Sequence, residues 1–98
     1  MHESLILIAH IRAKPGQESR VRKILQGLLA PTRAEAGCIN YDLHQSHPDP
    51  ALFVFYENWA SEAHLEAHSK SPHIQSLREV AGEFLAAPIE ITKWHVVI

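Results

Sequence analysis

Ninety-eight residues, 46% hydrophobic and 20% charged, fit one globular domain spanning residues 1–98, with a single core and a thin stability margin. A net charge of −2 with histidines neutral, and no basic stretch interleaved with aromatics, argue against nucleic acid or anionic lipid as a partner. No apolar run reaches the length of a membrane span, the lone cysteine, Cys38, cannot close an intramolecular disulfide, and the N-terminal apolar run lacks the flanks of a signal peptide, so the expected location is the cytoplasm.

"SLILIAHIRA" reads as a β-strand closed by the turn "KPGQ". Its apolar residues fall on both faces: Leu5, Leu7, Ala9 and Ile11 on one, Ile6 and Ile8 on the other. In "ESRVRKILQGLLAPTRAEAG", Val21, Ile24, Leu25, Leu28 and Leu29 keep helical spacing, Pro31 is expected to interrupt the helix, and Gly37 suits its end. "CINYDLHQSH" alternates Ile39, Tyr41 and Leu43 with polar neighbours, "PDP" supplies a turn, and "ALFVFYENWA" is the strongest strand pattern in the chain. Ser61 is placed to cap a short helix with Glu62 in its first turn. Pro72 opens a second helical stretch with Ile74, Leu77, Val80, Ala81, Phe84 and Leu85 as its stripe and Pro88 as its end, and "IEITKWHVVI" is a final strand.

The order is β-α-β-β-α-β with the second helix split in two, the α+β, ferredoxin-like pattern. Helices cover one face of such a sheet. Apolar residues on the other face call for a second cover, which a homodimer joining the open faces would supply.

The chemistry concentrates in "EAHLEAHSKSPH", which holds His64, His68 and His73. At 100° per residue, Glu62 and Glu66 lie within about 40° of each other, and the opposite side carries His64, flanked by Ala60, Ala67 and His68. Small residues plus two imidazoles suit a cavity wall; water-facing histidines at a helix edge are the alternative. A metal site is not expected: "HLEAH" does not place glutamate next to the first histidine, and no third ligand has an evident spacing. Glu57 shares a strand face with Phe53, Phe55 and Trp59, so a structural ion pair with Arg12, His10 or Lys93 is expected for it. Trp59 could stack on a planar ligand or fill the core, and Asn40 and Tyr41 could hydrogen-bond a substrate oxygen or lie on the sheet surface. Cys38 reads as a structural thiol.

"IAHIRAKPGQESRVRKIL", "EAGCINYDL", "FVFYENWASEAHLEAHSKSPHI" and the closing "EI" strand together resemble the antibiotic biosynthesis monooxygenase family, above all its small quinol monooxygenases. The resemblance runs from end to end and is most specific at Glu57-x-Trp59 followed by "AHLEAHSKSPH". It implies a ferredoxin-like fold that dimerises into an α+β barrel. It also implies oxidation of a small aromatic or quinol-like substrate by molecular oxygen without flavin, haem or metal, the substrate itself being the reductant.

On this resemblance Phe53, Phe55, Trp59 and Phe84 would wall an apolar cavity. His64 or His68 would accept the proton, and Tyr41, Asn40 and His73 would orient oxygens. Haem-degrading members differ: their pattern has an asparagine on the first strand and a helix tryptophan, where this chain has Ala9–His10 and His68. An isomerase or cyclase using the same histidines, and a non-catalytic module that binds a small molecule, are the competing readings.

Overall fold

The computed structural model describes residues 4–98; residues 1–3, with the histidine at position 2, lie outside it. Strand β1 (Leu5–Arg12) is followed by α1 (Glu18–Gln26), α2 (Leu29–Arg33), β2 (Cys38–Gln45), β3 (Leu52–Trp59), α3 (Glu62–Ser69), α4 (Pro72–Val80) and β4 (Glu90–Trp94). The strands form one antiparallel sheet in the order β2-β3-β1-β4, the ferredoxin-like arrangement. Among the described residues no helix is long and apolar enough to cross a membrane.

Both breaks in the helical layer have local causes. The first helix stops at Gly27, whose N–H bonds back to the carbonyl of Lys23. Pro31 then falls in the first turn of α2, where a missing N–H forfeits no helical bond. The second break lies between Ser69 and Pro72, with Pro72 at the start of α4. That helix ends earlier than its apolar pattern predicts: a 3-10 turn at Ala81–Glu83 follows Val80, so Val80 is exposed rather than part of a continuous stripe and Pro88 lies well past the end. Phe84 and Leu85 reach the core from after this turn.

The period of two in the strands decides the core. Leu7, Ala9 and Ile11 of β1 sit beside Glu57, Phe55 and Phe53 of β3 on the helix-covered face. A register irregularity between Cys38 and Asn40 brings Tyr41 opposite Glu57 on that face. Val21, Leu25 and Leu28 from the first helical layer and Ile74 and Leu77 from α4 close over them. The opposite face presents Ile6, Ile8 and His10 of β1, Val54, Tyr56 and Asn58 of β3, and Thr92 and Trp94 of β4. Tyr56 and Trp94 are exposed there.

Candidate functional site

Between the sheet and the α3–α4 layer lies a cavity of about 610 Å³. Its sheet wall is Leu7, Ala9 and Ile11 of β1, Tyr41 of β2, and Phe55 and Glu57 of β3; its helix wall includes Leu65, His68, Ile74, Leu77 and Arg78. Such a wall suits a flat apolar ligand bearing a few polar groups. Tyr41 and Phe55 stack with ring centroids 4.3 Å apart, and the Tyr41 ring meets His68 edge-on at 5.5 Å. Burial, with the nearby Glu57 charge, pushes the Tyr41 phenol up, so it serves as a neutral O–H.

His68 is the polar centre of the helix wall and is 6% exposed. Its Nδ1 donates to Glu35 Oε2 at 2.7 Å, and its ring lies over buried Trp59 at a centroid distance of 4.6 Å. A carboxylate oxygen accepts, so Glu35 fixes the tautomer with the proton on Nδ1. Among the described residues Nε2 then has no hydrogen-bond partner, on a side chain that forms the cavity wall. Burial lowers the His68 pKa below its ordinary value, against the opposing pull of Glu35, so the ring is neutral and its Nε2 is free to accept a proton.

Glu35 serves a second imidazole. His73 Nε2 lies 3.0 Å from the same Oε2, 3.1 Å from Thr32 Oγ1 and 3.3 Å from Ser71 Oγ. Glu35, His68 and His73 offer ligand atoms all within 4.8 Å of one another, so the third donor that spacing did not reveal does exist. A tetrahedral ion with ligands about 2.0–2.2 Å away sets those ligands roughly 3.3 Å apart. The separations of 2.7 and 3.0 Å from Glu35 are instead those of charge-assisted hydrogen bonds. The three residues could hold a divalent metal only after opening by several tenths of an ångström.

The remaining residues singled out from the sequence divide sharply. Ser61 caps α3 as expected, accepting from the N–H of His64, but its hydroxyl also binds His64 Nδ1 at 2.8 Å. The half-buried His64 ring packs on Gly37, outside the cavity wall. Ala60 and Ala67 are exposed, and Leu65 accompanies His68 inward instead. Phe53, Trp59 and Phe84 are fully buried core residues rather than cavity lining. Asn40 is exposed and pairs with Asn58 on the open face of the sheet.

Glu57 departs furthest from expectation. Arg12 pairs with Asp49 and Lys93 with Glu62, and among the described residues no cation lies within ion-pair distance of Glu57. Its partner is Trp59, whose Nε1–H donates to Oε1 at 2.9 Å. Burial pushes the carboxyl up to about 7, partly offset by the Trp59 hydrogen bond. Burial and the Glu35 charge likewise raise the Cys38 thiol, away from the reactive thiolate. Glu35 itself escaped sequence reasoning. It sits in an unpatterned turn 33 residues before His68, and a lone glutamate after a helix carries no local mark of a distant partner.

The model of the family described as antibiotic biosynthesis monooxygenase matches residues 4–80. Rv0793 of Mycobacterium tuberculosis is 36% identical over 92 residues, covering 94% of this chain and 90% of that one. The solved structure of Rv0793 superposes with a TM-score of 0.89, covering 97% and 96% of the two chains. The protein named "Probable quinol monooxygenase YgiN" from Escherichia coli K12 is 35% identical, covering 89% of this chain and 94% of its own. The crystal structure of PA3566 from Pseudomonas aeruginosa superposes with a TM-score of 0.94 at 37% identity, covering 100% and 98%.

Proposed function

Because the chain belongs to the antibiotic biosynthesis monooxygenase family, we propose that it oxidises a quinol or polyphenol with molecular oxygen, the substrate supplying the electrons and His68 the base. The observation that carries this reading is the 2.7 Å Glu35–His68 bond on the wall of an apolar cavity of about 610 Å³. A phenol is a poor reductant and its anion a good one. A neutral imidazole held in one tautomer beside the bound ring takes that proton. The reaction balances without a further reductant: hydroquinone and oxygen contain the same atoms as one hydroxyquinone and one water. One oxygen atom enters the ring, the other leaves as water, and the ring supplies all four electrons.

Two supporting proposals follow. Tyr41 lies on the cavity wall and its neutral O–H orients a substrate oxygen, while His73 holds Glu35 in place from behind. The protein acts as a homodimer joined through the open sheet face, where Ile6, Ile8 and Val54 lie beside exposed Tyr56 and Trp94.

The test is oxygen uptake by chelator-treated protein over a panel of hydroquinones and polyphenols. Uptake above the autoxidation blank is expected, with a loss of about a hundredfold or more in His68→Ala and a similar loss in Glu35→Gln. No uptake over the whole panel would refute the oxygenase reading. Turnover of a ligand without oxygen would favour an isomerase or cyclase, and binding without turnover a carrier.

A further inference from the structure

We propose that Glu57 is a second proton-handling group of the site: as the neutral acid it donates the proton with which the oxygen–oxygen bond breaks. This rests on the oxygenase reading and deepens it.

Among the described residues Glu57 lacks the cationic partner that a buried carboxylate needs. It is 3% exposed, forms part of the cavity wall, and has no cation within ion-pair distance among the described residues. Oε1 is held by Trp59 Nε1–H. Oε2 makes no hydrogen bond among the described residues, and the side chain forms part of the cavity wall. A glutamine would accept the same bond from Trp59 without the cost of burying an ionisable group. Burial and the Glu35 charge favour its proton, and the Trp59 hydrogen bond opposes it. Tyr41 stands opposite on β2, Cys38 lies further along that strand, and Glu35 adds negative charge. From the helix layer, neutral His68 and the Arg78 guanidinium share the cavity, and Arg78 is exposed to solvent. A carboxyl at about 7 beside an imidazole held below its ordinary value gives an acid and a base in one cavity at neutral pH.

The step needs both. After oxygen adds to a ring carbon that still carries its hydrogen, the His68 imidazolium returns the phenolic proton to the terminal peroxide oxygen, and its Nε2, neutral again, then takes the ring hydrogen as a proton. The C–H electron pair becomes part of the carbonyl, the O–O bond breaks, and the departing hydroxide leaves with the Glu57 proton as water. The imidazolium and the carboxylate then exchange the proton back through the product or solvent. No external oxidant or reductant enters beyond the oxygen already bound.

The decisive variant is Glu57→Gln, which keeps the acceptor for Trp59 and removes the acid. Turnover should fall about a hundredfold, and hydrogen peroxide should appear in proportion to oxygen consumed, because the bound peroxide escapes before its O–O bond is cleaved. The alkaline fall of the wild-type rate through about pH 7 should be absent from the variant's pH profile. Wild-type turnover without peroxide would overturn the proposal.

A second measurement does not depend on oxygen. The protonated carboxyl band, assigned by infrared difference between wild type and Glu57→Gln, should shift when 1,4-naphthoquinone is added at saturation. A band left unchanged would overturn the proposal even if the protein consumes oxygen. A shifted band in a protein that consumes none would leave Glu57 as the cavity's acid and refute only the oxygenase reading.

Discussion

Replacing Glu57 with glutamine should make the protein more stable in mild base while changing little in acid. The carboxamide oxygen of the variant can still accept from Trp59 Nε1, so the packing of the buried pair is preserved. What disappears is the charge. In the unfolded chain this carboxyl titrates near 4.5, and in the fold near 7, because burial disfavours the anion. Across that interval the native state holds a proton that the unfolded chain has lost, so stability falls as pH rises. The full gap amounts to ~3.4 kcal/mol, of which ~2.5 kcal/mol lies between pH 5 and pH 8, since the unfolded carboxyl is already mostly ionised at pH 5. Urea unfolding of both proteins at one fixed concentration, at pH 5 and pH 8, measures it. The stability difference between variant and wild type should grow by about 2.5 kcal/mol over that range. The His68 contribution runs the other way: its pKa is lowered in the fold, so that part of stability is lost as pH falls, and in both proteins alike. Parallel stability curves for the two proteins would refute the reasoning, because they would mean that Glu57 is solvated or paired in solution.

Two further outcomes test the frame around the site. Gly37 has φ of +80°, and a Cβ there would run into the His64 ring, so Gly37→Ala should cost at least ~1–2 kcal/mol and lower the melting temperature by several degrees; an unchanged melting curve would mean that this turn and the His64 ring can both relax. Light scattering should give twice the 11.0 kDa chain mass, and Ile8→Asp, on the open sheet face, should halve it with little change in helix content; a wild-type mass of one chain would refute dimerisation through that face.

Much of this molecule is legible in its local patterns. The alternation of Leu7, Ala9 and Ile11, the aromatic run of β3 and the 3.6-residue spacing of Val21, Leu25 and Leu28 are short-range properties, and the elements formed where those patterns place them. Ser61 and Pro72 mark helix starts because a cap or a missing N–H acts within one turn. Periodicity also placed Phe53, Phe55, Glu57 and Trp59 on one face of the sheet. It could not say which of the four meets the cavity, because the cavity exists only where α3 and α4 stand off from the sheet. Phe55 and Glu57 reach it, whereas Phe53 and Trp59 are sealed in the core.

The sequence therefore determined the elements, their order and the presence of histidines on a short helix, all of which depend on contacts a few residues apart. The tertiary structure alone decided the chemistry. It turned His68 toward the cavity while tying His64 to its own helix cap. It carried Glu35 across 33 residues to fix the His68 tautomer, and it buried Glu57 without a cation among the described residues. A tautomer and a displaced pKa are set by what surrounds a group in space, and the chain brings those surroundings together only on folding.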